Sequence, residues 1–471
     1  MQVFKGKKRI LLAVAIGTFM SALDSSVVNI VLPRISTYFH APLSTIEWIV
    51  MSYLLVVSSL LLAYGRLGDM YGHKRIYIWG FLIFTVGSFL CGLSGTVFML
   101  IIFRAVQAIG AGMLMAMGPA IVTDNVESQE RGKALSVTAV AVASALTIGP
   151  VLGGALTVLL GWKSIFFVNI PIGIIGVWLA QRSIPDRGER TVQSFDFSGA
   201  VLVFLALISI LLPLSLVEHY GWENPVILSL IAFGLLLTII FVIWEKRLKN
   251  PMFDLSLFEN RLFSMSNLST LLNFMGQFTI ILLMPYYLQQ LRGLTPEKAG
   301  LIYLAMPLVT MIIAPISGSL SDRMDSRYIS ASGMAFMALG MGLLSSLKAN
   351  SPYSFLVAAL AVVGFGIGLF QTPNNSAIMG AVPPTKRGIA SGMQATMRNI
   401  GMVLGVAISG ALFTSSHDAL MKSGIAHGLQ GAALKSASFV GALHITYIVA
   451  AVFAAAGIIT SLIKGSTLSN E

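Results

Sequence analysis

The chain has 471 residues, 56% hydrophobic and 10% charged. A soluble chain carries about 25% charged residues, so lipid is the solvent for much of this one. A secreted enzyme and a nucleic-acid binder are excluded. The net charge of +11 suits loops that face an anionic cytoplasmic leaflet. The single cysteine, Cys91, leaves neither an intramolecular disulfide nor a thiolate metal cluster.

From the N-terminus, the short basic stretch 1–9 runs straight into an apolar run, which reads as a first helix rather than a cleaved signal peptide. Apolar runs then predict membrane helices near 10–32, 46–65, 76–96, 98–122, 134–159, 164–181, 198–217, 225–244, 264–288, 299–320, 328–347, 353–376, 388–414 and 439–463. Twelve is the count if two weak segments lie flat. With the N-terminus in the cytoplasm, the inner side collects about 21 Lys and Arg and the outer side about seven. Both termini are expected in the cytoplasm.

The chain also repeats itself. Gly65-Arg-Leu-Gly-Asp69 returns as Gly318-Ser-Leu-Ser-Asp322, at an offset of 253. Gly112 and Pro119 match Gly366 and Pro373, Arg131-Gly132 matches Arg387-Gly388, and Val151-Leu152-Gly153 matches Val403-Leu404-Gly405. Four matches in one order at nearly constant offset relate segments 1–6 to 9–14. An all-α integral membrane fold of two six-helix bundles plus two inserted helices follows, with 1–182, 183–262 and 263–471 as its parts. Repeats of this kind place a substrate path near mid-membrane between the bundles.

Segment 1 holds Asp24 and Asn29, and an Asp inside a membrane helix marks a functional site by default. Asp24 lies roughly 12 Å inside the outer end of its segment and Arg104, on segment 4, roughly 9 Å inside. A charge interaction between them is open on that geometry, as is a merely bundle-bonding role for Asp24. Glu47, beside Trp48, stands at the outer mouth of segment 2. The loop 65–75 combines Gly65, Gly68 and Gly72 with Arg66, Asp69 and Arg75, and echoes weakly at Asp322 and Arg323. Segment 5 carries Gly149-Pro150-Val151-Leu152-Gly153-Gly154, in which Pro bends a helix and the glycines admit close packing. The second half offers Asn273 and Gln277, one turn apart, then Gln371, Asn374 and Arg398.

The 65–75 loop resembles the cytoplasmic-loop signature of the major facilitator superfamily. The runs around Asp24, Arg104-Gln107-Gly110 and Gly149–Gly154 resemble the fourteen-helix drug/proton antiporters of the EmrB/QacA type. The resemblance implies a transporter rather than an enzyme: a proton-coupled multidrug efflux antiporter of the bacterial plasma membrane, exporting hydrophobic, often cationic drugs, antiseptics or dyes by alternating access. It implies proton coupling at Asp24, Arg104 and Glu47, and gating by the 65–75 loop, its echo and the segment-5 motif. Asn29, Trp48, Gln107, Asn273, Gln277, Gln371, Asn374 and Arg398 are the expected cavity residues. No cofactor or metal is expected, no P-loop appears for ATP, and a monomer is expected. The alternative is a dedicated exporter of one compound, a tetracycline-like drug or an endogenous metabolite.

Overall fold

The computed structural model describes residues 2–126, 131–186, 196–221, 223–248, 255–321, 323–383 and 386–463. Every regular element among them is helical. In chain order the α-helices are α1 (Gln2–Phe39), α2 (Leu43–Tyr71), α3 (His73–Leu93), α4 (Val97–Asn125), α5 (Arg131–Leu160), α6 (Ser164–Phe167), α7 (Asn169–Ser183), α8 (Phe197–Tyr220) and α9 (Pro225–Arg247). There follow α10 (Arg261–Tyr286), α11 (Pro296–Tyr303), α12 (Ala305–Ser321), α13 (Ser326–Ser345), α14 (Tyr353–Gly380), α15 (Arg387–Ala426) and α16 (Gly431–Ile463). Among the described residues, thirteen spans are long and apolar enough to cross a membrane, with α6–α7 and α11–α12 each forming one of them. The helix α8, whose apolar stretch Val201–Pro213 is shorter, occupies the remaining predicted segment.

Helix starts follow local chemistry. Thr96 caps α4 by accepting from the Met99 amide, and Asn260 accepts from the Leu262 and Phe263 amides at the start of α10. Gly72 turns the chain between α2 and α3 at φ +95°, a backbone angle that a side chain disfavours.

The helices α1–α7 pack among themselves, as do α10–α16. The two groups meet where α5 touches α11, α2 touches α15 and α1 touches α10. The inserted helix α8 lies against both α2 and α15, along that seam, with α9 packed on its outer side. Backbone contact through glycines builds each group, since hydrocarbon supplies no hydrophobic drive between helices. A Cβ on Gly110 of α4 would meet the Phe84 amide and Gly80 carbonyl of α3 at 2.4 and 2.5 Å. In the other group, a Cβ on Gly366 of α14 would meet the Gly333 carbonyl and Met337 amide of α13 at 2.6 Å. Gly80 and Gly87 recur as Gly333 and Gly340, again 253 positions on.

Several helices outrun their sequence limits, among them α1, which spans Gln2–Phe39 against the expected 10–32, and α15. At 1.5 Å per residue, the 40 residues of α15 span roughly 60 Å, twice the roughly 30 Å hydrocarbon core. Beyond 414, α15 continues and turns through Gly428 and Gly431, both at positive φ, into the early turns of α16. Polarity ends a membrane segment but not a helix. The extension is held by Phe413 against Phe439 and by Leu420 over Gly441.

Gly110→Val should drive α3 and α4 apart and cost about 1–3 kcal/mol or more, lowering the melting temperature of the detergent-solubilised protein. Gly342→Ala, with open space at its Cβ, should leave melting unchanged. Equal melting of both variants would refute backbone contact as the packing device.

Candidate functional site

Five helices of the first group converge on one polar knot. Arg104 of α4 and Asp24 of α1 are each 1% exposed, and Arg104 Nη1 donates to Asp24 Oδ2. The same nitrogen donates to Gln107 Oε1 at 2.7 Å, while Arg104 Nε donates to the Ile49 carbonyl of α2 at 3.3 Å. Asp24 Oδ1 accepts from Gln107 Nε2 and from Asn169 Nδ2 of α7, both at 2.9 Å. Both amides also donate to Ser88 Oγ of α3, at 3.1 and 3.0 Å, and Ser88 donates onward to the Phe166 carbonyl at 2.9 Å. The Tyr53 ring lies 4.2 Å from the Arg104 Cζ, a cation–π contact. The equal depth read from sequence thus becomes a direct ion pair.

A buried pair survives only with close geometry and satisfied lone pairs, and removing one partner costs about 3–5 kcal/mol. Here the carboxylate accepts from three side chains, Arg104 and Gln107 of α4 and Asn169 of α7, so its charge is compensated. Sequence reading found Asp24, Arg104 and Gln107. It missed Asn169, Ser88 and Tyr53, although an Asn between the apolar runs of α6 and α7 is itself a signal of buried polar bonding.

The basic end of the bundle carries the 65–75 loop. Gly68 packs on Met117 and His73, and His73 Nδ1 lies 2.6 Å from Asp124 Oδ2. Arg75 faces Asp186 at 4.0 Å on the surface, where a pair contributes little. Gly65 has open space around it and Arg323 is exposed. Asp322 and the side chains of Arg66 and Asp69 lie outside the described residues.

At the opposite end the two groups close on each other. A Cβ on Gly154 of α5 would strike the Pro296 carbonyl at 2.5 Å, and one on Gly300 of α11 would strike the Pro150 carbonyl at 2.3 Å. Gly149 and Gly153 pack on Ser26 and Val27 of α1. The segment-5 motif therefore joins α5 to its own group by one face and to the other group by the next. Gln289, just past α10, donates to the Ile30 carbonyl at 2.6 Å across the seam. Glu47, 1% exposed, sits over Gly410 of α15, where any Cβ would overlap its carboxylate.

The expected cavity residues divide. Gln107 belongs to the Asp24 knot. Asn273 is fully buried and turns to α13, donating to Met334 and Met337 sulfurs at 3.4 and 3.1 Å, so it does not share a setting with Gln277. Asn374 is likewise buried, donating to the Ser266 carbonyl at 3.0 Å and Thr270 Oγ1 at 2.9 Å. These residues bond helices together. Asn29, Trp48, Gln277, Gln371 and Arg398 are partly exposed. Gln277 Oε1 and Arg398 Nε are buried without a hydrogen bond. At the repeat offset of 253, Gln277 occupies the place that Asp24 holds in the first group.

The Major Facilitator Superfamily model matches residues 14–251 and 267–464. The chain belongs to that superfamily. The riboflavin transporter RibZ of Clostridioides difficile (strain 630) is 38% identical over 413 residues, covering 88% of this chain and 89% of RibZ. The multidrug transporter protein MdtP of Bacillus subtilis (strain 168) is 30% identical over 442 residues, covering 93% of this chain and 82% of its own. Among solved structures, a bacterial homologue of the human lysosomal transporter Spinster, inward-facing and unoccupied, shares the fold at a TM-score of 0.69 and 14% identity, over 98% of this chain and 97% of that one. The major facilitator protein described here is thus a multi-pass membrane transporter of small molecules and not an enzyme.

Wedging the closed end should open it. In a Gln289→Cys background, adding Gly300→Val should raise labelling by a membrane-impermeant maleimide severalfold, with buried Cys91 contributing little. Unchanged labelling would show that the α5–α11 contact does not hold the seam.

Proposed function

We propose that this major facilitator protein is a proton-coupled antiporter of a bacterial plasma membrane, of the fourteen-helix drug/proton type, that exports small hydrophobic compounds by alternating access. The observation that carries this reading is the Asp24–Arg104 pair, compensated by Gln107 and Asn169 in the middle of the first group. A proton arriving on Asp24 cancels the carboxylate's charge and releases Arg104 to its remaining acceptors, Gln107 and the Ile49 carbonyl. Loss of the proton restores the pair. Such a change repacks α1 against α4 and α7, and it gives protonation a mechanical consequence.

In this reading the basic end is cytoplasmic, with both termini, as the distribution of Lys and Arg supports. Inward movement of one proton then gains about 2.3 kcal/mol per 100 mV of membrane potential, which drives substrate outward. Glu47 takes part as the carboxyl buried at the outer seam, exposed when the groups separate. The 65–75 loop and the α5 motif govern the two closures, and the protein acts as a monomer with no cofactor.

A second reading concerns breadth. Multidrug export is supported by the likeness to MdtP. The greater identity to a riboflavin transporter supports a dedicated carrier of one planar heteroaromatic compound.

Purified protein in liposomes with an imposed pH gradient tests both readings. The wild type should drive transport only with the gradient, and Asp24→Asn should lose at least about 90% of that drive, as expected where a charge-dependent contact carries the coupling. Melting should fall, because the substitution leaves Arg104 buried without its anion, so coupling is compared at a temperature at which the variant stays folded. Full coupling in Asp24→Asn would move the proton site elsewhere. Transport of flavin alone, among flavins, dyes and drugs, would favour the dedicated carrier.

A further inference from the structure

The second group holds a cation that nothing among the described residues neutralises. Arg398 stands 11 residues after the start of α15, roughly 16 Å into the span. It takes part in no hydrogen bond or ion pair among the described residues, and its Nε is buried and unbonded. Its face of α15 is known from its neighbours. Gly401 and Gly405, three and seven positions on, lie within about 60° of it around the helix, and both press on α10, at Leu271 and Met275. Arg398 therefore points inward, not to lipid.

The helix α14 supplies a companion. Gln394 of α15 donates to Asn375 of α14, which bridges the two antiparallel helices. One turn from that bridge, on the same side of it, come Arg398 on α15 and Gln371 on α14. Gln371 is partly exposed and, like Arg398, forms no hydrogen bond among the described residues. A guanidinium fork and a free amide thus face one level of the bundle, offering several donors and one acceptor.

No carboxylate among the described residues stands at that level. Of the 19 Asp and Glu, Asp24 alone lies in the middle of a described span, and it is engaged by Arg104, Gln107 and Asn169. Glu47 meets α15 at Gly410, 12 residues beyond Arg398 and so roughly 18 Å away along the helix.

We infer that Arg398 and Gln371 form the substrate-recognition site of the second group, selecting neutral or anionic ligands with an acceptor-rich edge, a carboxylate or a cyclic imide, over cations. The inference rests on the transporter reading above and narrows its substrate class. A guanidinium fork matches two acceptors side by side, and the amide completes an edge in which a donor lies between or beside them. An uncompensated positive charge repels a cationic dye at the same level.

Riboflavin, neutral and with a cyclic imide on a planar ring, and ethidium, a planar cation, are the probes. Equilibrium binding is read on purified full-length protein in detergent without any gradient. The wild type should hold riboflavin more tightly than ethidium. Arg398→Gln and, separately, Gln371→Leu should weaken riboflavin at least about tenfold, the effect of one charge-assisted contact, and Arg398→Gln should not weaken ethidium. Arg398→Lys, charged but without the fork, should fall between. The melting temperature of unliganded Arg398→Gln should not drop, since no internal partner is lost; a drop would assign Arg398 to structure and overturn the site. Tighter ethidium binding by the wild type, no riboflavin binding, or riboflavin binding indifferent to both substitutions would also overturn it. Gradient-driven transport by a protein whose riboflavin binding ignores Arg398 and Gln371 would retire this inference and leave the antiporter reading standing. Arg398-dependent riboflavin binding without gradient-driven transport would do the reverse.

Discussion

The ion pair between Asp24 and Arg104 is the constraint around which the first group is arranged. Neither charge tolerates burial alone, and each needs lone pairs and protons satisfied in a medium without water. The chain meets that need with side chains from several helices: Gln107 beside Arg104, Asn169 at the head of α7, Ser88 on α3 and the Tyr53 ring on α2. Those partners reach the pair only if the helices approach closely. Glycine supplies the approach, with Gly87 of α3 directly against the Gln107 backbone and Gly110 against Phe84. Packing and charge compensation are therefore one requirement, and a side chain added at Gly87 would displace the amide that holds Asp24.

The seam between the groups obeys a different rule. Among the described residues its contacts include backbone against backbone at Gly154 and Gly300, the Gln289 hydrogen bond and the Glu47 carboxyl over Gly410. Contacts of this kind are short-ranged and separable. The inserted helix α8 borders the same seam between α2 and α15, which places the insertion where relative movement of the groups would be felt.

Much of this was legible in the sequence, because lipid makes charge and glycine expensive or purposeful. Asp24 and Arg104 stood out as ions in apolar runs, and their shared depth followed from helical rise alone. The 253-residue offset was visible in the loop motif, and it applies equally to Gly80, Gly87, Gly333 and Gly340, which sequence reading passed over in a chain with 45 glycines. Asn169 and Ser88 escaped because a polar residue near a helix end gives no sign of which way it points. Asn273 and Gln277 misled for a related reason. Helical spacing puts them on one side, yet the rotation of about 40° between them suffices to send one into the methionines of α13 and leave the other clear. The extension of α15 past 414 was invisible because hydropathy measures where lipid ends, and hydrogen bonding decides where a helix ends.

The repeat sharpens the contrast between the groups. A duplicated scaffold keeps the glycines that set helix approach, because any change there separates two backbones. It does not keep the polar interior. Where the first group has Asp24, the second has Gln277, and nothing in the second answers Arg104, since the residues 254 and 256 positions on are Ala358 and Leu360. Conversely, Arg398 has only Val142, Ser144 or Ala145 at the corresponding places in the first group. One group thus buries a cation with its anion, and the other holds a cation without one. In the proposed reading, the internally compensated knot is the part that responds to a proton. The bare guanidinium, in the inference drawn above, is the part that meets a ligand's acceptors, and no carboxylate among the described residues stands at its level. Two copies of one fold can in this way divide coupling from recognition, with the seam as the surface on which the two must agree.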